Sequence, residues 1–178
     1  MKKIILAAFF FIGVSASQAQ GSSNSEQAKQ LKWYTDVKEA VKVSNKQKKP
    51  LLLFFTGSDW CGWCIRLQKE VLKTPEFSKW AKESVILVEL DYPRSVPQSD
   101  EIKKQNSELQ QAFGIQGYPT VYFAKGTVNK EGKVSFEGLG NTGYVAGGPT
   151  AWLAVADPFV KNAKMAPEPK AKTKTKKA

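Results

Sequence analysis

The chain has 178 residues, 27 Lys and Arg against 16 Asp and Glu, a net charge of +11, and no histidine. The missing imidazole excludes Ser-His and Cys-His nucleophile pairs, an imidazole general base and histidine-rich metal sites. Two cysteines are too few for a four-thiolate zinc centre or a dense disulfide framework, while 42% hydrophobic and 11% aromatic residues suffice for one packed domain.

Residues 1–19 read as a cleavable secretory signal: Lys2 and Lys3, an apolar run from Ile4 to Val14, then the small residues Ser17 and Ala19. The cut is placed after Ala19, and a cut one or two residues away reads equally well. The run holds 11 residues, whereas a bilayer span needs about 20, so it is read as a leader and not an anchor. The expected destination is the periplasm or the medium. Residues 20–32 read as a polar linker, followed by a folded domain over 33–163.

Within that domain, Trp33, Val37, Ala40 and Val41 follow helical spacing, and Pro50 closes the segment. Leu51 to Phe55 is a continuous apolar run, expected as a strand covered on both faces. After Thr56 to Trp60 comes a helix carrying Cys64, Leu67 and Val71, continued past Pro75 by Phe77, Trp80 and Ala81. Val85 to Leu90 is a second buried strand, Asp100 to Phe113 a helix, and Thr120 to Phe123 a third strand. Val134 and Phe136 alternate as a half-exposed fourth strand after a turn at Glu131 and Gly132. Trp152, Val155, Ala156, Phe159 and Val160 form the apolar stripe of a last helix, in which Pro158 predicts a kink. This order predicts one α/β domain: a central mixed sheet of about four strands flanked by helices. The first strands should be parallel, because a helix crosses between them, and the last pair antiparallel.

Residues 164–178 form a Lys-rich tail with too little apolar surface to fold. It reads either as a solvated, disordered segment or as a weak electrostatic contact with an anionic envelope surface or acidic partner. No nucleic-acid partner is expected, since no recognition-helix or single-strand-binding pattern accompanies it.

The chemically loaded segment is Thr56-Gly57-Ser58-Asp59-Trp60-Cys61-Gly62-Trp63-Cys64, where a buried strand gives way to a helix. Two thiols three positions apart at a helix start can close a small disulfide ring, and the unpaired N–H groups there favour a thiolate at the first. Cys61 is then the exposed nucleophile and Cys64, one turn on, the shielded resolving thiol. A static structural staple fits less well, because this ring closes almost no chain. No metal and no bound cofactor are expected: two thiolates with only Met1 and Met165 leave a soft ion half-coordinated. Trp60 and Trp63 read as an apolar substrate platform beside the nucleophile.

These residues resemble the thioredoxin superfamily. Trp60-Cys61-Gly62-Trp63-Cys64 is similar to its W-C-G-x-C active site, and Gly117-Tyr118-Pro119-Thr120, with Pro119 placed 55 residues after Cys64, is similar to its proline loop. The likeness covers roughly 33–162 and is greatest to exported thioredoxin-like proteins of bacterial envelopes. It implies a thioredoxin-like fold and a cis peptide before Pro119, where sequence alone favours trans. It also implies that Tyr118, Pro119 and Thr120 meet an extended substrate segment as an added strand. One departure stands out. Thioredoxins commonly bury an Asp beneath the thiols, paired with a Lys on the next strand; here those places fall to Phe54 or Phe55 and to a position near Leu87. Of the carboxylates nearest along the chain, Asp59 is expected to face solvent and Glu89 to lie on the wrong face of its strand.

Gly138-Leu139-Gly140-Asn141-Thr142-Gly143 satisfies G-x-G-x-x-G, but too little chain follows for a nucleotide-binding unit, and it is read as a flexible glycine loop. The sequence thus predicts a monomeric envelope thiol-disulfide oxidoreductase that reduces protein disulfides and draws electrons from an envelope thiol donor. The alternatives are an oxidase or isomerase of the same fold and a redox-inert substrate-binding or chaperone-like module. A copper-handling protein is the weakest of them.

Overall fold

The apolar run Leu51–Thr56 has no polar face to show to water, and in the computed structural model it becomes the central strand β2, buried at every position. The structure describes residues 31–165; the predicted leader, residues 20–30 of the predicted linker and the tail beyond 165 lie outside the described residues. Leu31 and Lys32, also assigned to the linker, make domain contacts: Leu31 packs on the core, and Lys32 Nζ pairs with Glu39 at 3.2 Å.

Beside β2 stand β3 (Ile86–Asp91) and, beyond it, a two-residue β1 (Trp33–Tyr34). On the other side come β4 (Thr120–Val128) and β5 (Val134–Thr142), giving the order β1-β3-β2-β4-β5. β1, β3 and β2 are mutually parallel, whereas β4 runs antiparallel to β2 and β5 antiparallel to β4. A fifth strand thus joins the four expected. It comes from Trp33, which pairs with Leu87 instead of opening a helix. Helix α1 (Val37–Gln47) starts one turn later, where the Asp36 carboxylate accepts the N–H groups of Lys38 and Glu39.

Alternation along β2 sends its side chains into two cores. Leu51, Leu53 and Phe55 pack with Val37, Ala40 and Val41 of α1 and with Leu109 of α4 (Asp100–Ala112). Leu52 and Phe54 face the opposite way. They meet Cys64 and Leu67 of α2 (Gly62–Leu67), Phe77 of α3 (Pro75–Ser84), and Trp152 and Ala156 of α5 (Gly148–Met165). A π-helical turn, Gln68–Leu72, follows α2 directly and buries both Val71 and Leu72. Each large side chain fully buried here contributes about 1.5–3 kcal/mol, so the end of β2 is a firm base for the loop that follows.

Two expectations are corrected at the far edge. Val155, assigned to the apolar stripe of α5, is 40% exposed; the buried positions are Trp152, Ala156, Val160 and Ala163. Pro158 stands within this helix, which runs from Gly148 to Met165. Gly138 to Thr142 are not a flexible loop but the second half of β5, with only Gly143 beyond it. Gly140 has φ 144°, and a Cβ there would lie 2.3 Å from the Phe159 ring, so glycine lets α5 close onto the edge strand. Among the described residues, no helix is long and apolar enough to cross a membrane.

Candidate active site

Beyond β2 the chain turns through Gly57 to Trp60, and every residue of that turn is tied down. A Cβ on Gly57 would meet the Trp60 ring at 2.4 Å, so glycine is needed for the indole to fold back. Ser58 donates its N–H to Asp91 Oδ1 at 2.8 Å and its hydroxyl to Asp91 Oδ2 at 2.6 Å. Asp59 accepts the backbone N–H groups of Ser95 at 2.6 Å and Arg94 at 3.1 Å, and these hold its carboxyl below the ordinary range. Trp60 Nε1 donates to the Tyr92 carbonyl at 2.8 Å, its ring meets Tyr118 edge-on at 5.6 Å, and the Arg94 guanidinium lies 4.2 Å from its centre.

Cys61 caps the N-terminus of α2, its sulfur accepting the Cys64 N–H at 3.2 Å. Cys61 and Cys64 form a disulfide with Cα atoms 5.2 Å apart. Cys61 retains 6% exposure and Cys64 none; the expectation of an exposed Cys61 is thus corrected, since both cysteines are buried and Cys64 lies the deeper. Gly62 is exposed, with open space where a side chain would stand.

Trp63 projects outward, 55% exposed, with its ring 5.2 Å from that of Tyr144. The Arg66 guanidinium lies 5.3 Å from the Trp63 ring and 5.1 Å from the Tyr144 ring. Glu70 binds this group together: Oε1 accepts Arg66 Nε at 2.8 Å and Oε2 accepts the Tyr144 hydroxyl at 2.5 Å. The Tyr144 hydroxyl, and then Arg66, hold the Glu70 carboxyl below the ordinary carboxylate range.

The third component arrives on β4. Thr120 pairs with Phe55, which sets the preceding loop at the same end of the sheet as the cysteine turn. The Tyr118–Pro119 bond is cis, and Thr120 Oγ1 donates to the Gly117 carbonyl at 2.8 Å. Tyr118 stands between Trp60 and Tyr92, with the Tyr92 ring at 5.3 Å.

Beneath the thiols the choice between Phe54 and Phe55 is settled: Phe54 shares a core cluster with both cysteines, and Phe55 faces the other core. Leu87 lies on the thiol side as well. Glu89 corrects the expectation for its strand. Val88 and Leu90 point to the α1 core and Leu87 to the thiol core, so alternation puts Glu89 on the thiol face, in register with Phe54. The sequence reading missed Asp91, Arg94, Glu70 and Tyr144. None lies in a motif; the one visible signal was a pair of polar residues, Glu89 and Asp91, at the end of an otherwise apolar strand.

Residues 37–141 match the family profile of a thioredoxin-like domain. The disulfide bond reductase DsbH of Chlamydia pneumoniae is 35% identical over 119 residues, 67% of this chain and 71% of that protein. The thioredoxin-related protein DsbJ of the same organism is 33% identical over 119 residues, which make up 34% of its own length. A solved DsbH oxidoreductase superposes with a TM-score of 0.64 at 32% identity, covering 82% of this chain and 95% of that one. The matched stretch contains the cysteine turn, the sheet that supports it and the Pro119 loop, and with the Cys61–Cys64 disulfide it places the chain in the thioredoxin-like family of thiol-disulfide oxidoreductases.

Proposed function

We propose that the protein is exported to the bacterial envelope and reduces disulfides of exported proteins, with Cys61 as nucleophile and Cys64 as resolving thiol. The observation that carries the reading is a disulfide-bonded pair at a helix start, in which Cys61 is the N-cap and keeps a residual 6% exposure while Cys64 lies wholly inside. In the reduced protein the Cys61 thiolate attacks one sulfur of a substrate disulfide and expels the other as a thiolate. The Cys64 thiolate then attacks Cys61 Sγ, releasing the second substrate sulfur and forming the internal disulfide. Two electrons pass to the substrate, and no bound cofactor enters. An envelope thiol donor returns the pair to the dithiol.

The reductive direction is supported by the charges around Cys61. Strong oxidants of this fold stabilise the thiolate with depressed pKa values near ~3.5. Arg66, the nearest cation on α2, is already paired with Glu70 at 2.8 Å, and the helix N-terminus is left as the main stabilising influence. The relative named a disulfide bond reductase agrees with this direction. Substrate binding is assigned to Trp60, Gly62 and Trp63 on one side and Tyr118, Pro119 and Thr120 on the other, with an extended segment lying between them.

The Cys64→Ser variant is the test, because a mixed disulfide on Cys61 is otherwise resolved before it can be isolated. It should accumulate reductant-sensitive complexes with envelope proteins, whereas Cys61→Ser should form none. Equal trapping by both variants would reverse or abolish the assignment, and a potential near −120 mV with fast oxidation of reduced substrates would make the protein an oxidase.

A further inference from the structure

Cys64 is fully buried, and it reacts only after its thiol loses a proton. The chain has no histidine to take that proton, so the acceptor must be a carboxylate or solvent. On the α3 and α5 helices that pack on the thiol core, Glu76 and Glu83 are exposed and Asp157 accepts Trp80 Nε1 at 3.0 Å and pairs with Lys161; the turn before Cys61, the π-helical turn and β3 carry four more carboxylates, and three of those four are occupied. Both oxygens of Asp59 accept backbone N–H groups, those of Asp91 accept from Ser58, and those of Glu70 accept from Arg66 and Tyr144. Asp59 and Glu70 are moreover held below the ordinary carboxylate range. The fourth, Glu89, accepts no hydrogen bond among the described residues.

Its position is specific. Glu89 lies on the thiol face of β3, in register with Phe54, which shares its core cluster with Cys61 and Cys64. Trp33 packs on Phe54 at 6.1 Å and closes the β1 side with another apolar ring. Burial pushes the Glu89 carboxyl up, Asp91 on its own strand pushes it further, and Lys73 after the π-helical turn opposes both. Among the described residues Asp91 and Lys73 are the charges that act on it; β2 offers Phe54 opposite it, and Lys82 of α3 sits at the opposite end of the strand, where its carbonyl accepts Lys49 Nζ. A carboxylate raised in this way is a better proton acceptor for a thiol than its three tied neighbours.

We propose that Glu89 is the proton acceptor for Cys64 in the resolving step. The proton leaves Cys64 Sγ for a Glu89 carboxylate oxygen through intervening water. The sulfur so freed bonds to Cys61 Sγ, the bond from Cys61 to the substrate breaks, and the departing substrate thiolate takes its proton from solvent. Glu89 then returns its own proton to solvent. This rests on Cys64 being the resolving thiol, which the trapping experiment judges independently.

Reduced protein mixed with dithiobis(nitrobenzoate) releases one coloured thiolate when Cys61 attacks and a second when Cys64 attacks Cys61 Sγ, so one trace reads both steps. In Glu89→Gln the first phase should stay within about two-fold of the parent, while the second slows by about 10²-fold near pH 6 to 7. The deficit should shrink as pH approaches the ordinary thiol pKa of about 8.5, and Glu89→Asp should recover part of the rate. A second phase unchanged by the substitution, or slowed equally at every pH, overturns the proposal even where Cys64→Ser still traps substrates. Failure of that trapping overturns it together with the thiol assignment. Should Glu89→Gln not fold, Glu89→Ala carries the same comparison.

Discussion

Two tryptophans flank the cysteine pair, and the molecule treats them oppositely. Trp60 is anchored: its indole N–H is bonded to the Tyr92 carbonyl, its face carries Arg94 and its edge packs on Tyr118. Trp63 is 55% exposed and, among the described residues, is steadied by ring contacts to Tyr144 and Arg66, themselves joined through Glu70. The side before Cys61 is held by backbone donors and a sheet-end carboxylate; the side after it is held by side chains that meet at the surface. The first arrangement fixes where Cys61 stands, and the second leaves the Trp63 ring, proposed above as a substrate contact, exposed at the surface.

The largest expected effect of breaking this contrast is on Trp60→Ala. Removing the ring empties the space that Gly57 leaves for it and strands the Tyr92 carbonyl. Large aromatic truncations cost about 3–5 kcal/mol when fully buried, and Trp60 is only partly buried, so a loss of about 2–3 kcal/mol in urea unfolding is expected. Exchange with small disulfides should fall as well, since the turn that places Cys61 loses its anchor.

Trp63→Ala should behave differently. An exposed ring supports little of the fold, so unfolding should change by about 0.5 kcal/mol or less. Its effect should fall on recognition: KM for a protein disulfide should rise several-fold while the rate with a small disulfide holds. Equal losses of stability in the two variants would erase the distinction between anchored and exposed sides.

What the sequence revealed follows the same division. Strand β2, the crossover to β3 and the Cys-x-x-Cys turn are encoded locally, by an apolar run, periodicity and a motif, and all were legible. β1 was not, because two residues carry no period of their own, and Trp33 fits a helical stripe as well as a strand. The glycines of β5 read as a loop because a strand built to admit Phe159 looks, in sequence, like a strand that has ended. The anchoring of Trp60 depends on Asp91 and Tyr92, more than thirty positions away on a parallel neighbour, and the Glu70–Tyr144 bond spans 74 positions. Contacts of that kind are set by register, which one sequence does not display.

The smallest effect expected is a separation of the two sides in acid. Glu70 is held below the ordinary carboxylate range first by the Tyr144 hydroxyl and then by Arg66. A depressed carboxyl contributes its stabilisation above the unfolded pKa and loses it as pH falls through the folded one. The Trp63 side should therefore persist through the range where free carboxyls protonate and loosen only below it. Asp59 is depressed too, by the Ser95 and Arg94 backbone N–H groups, but the Trp60 side keeps the indole bond to Tyr92 when that carboxyl protonates. Protein labelled with 5-fluorotryptophan resolves the point, with the Trp63 resonance assigned by its absence from Trp63→Phe. Once the pH falls below the range in which free carboxyls protonate, that resonance should move toward the position it takes in Glu70→Gln at neutral pH, while the Trp60 resonance stays in place. Movement of both at the same pH would mean that one shared unit, and not two independent sides, holds the cysteines.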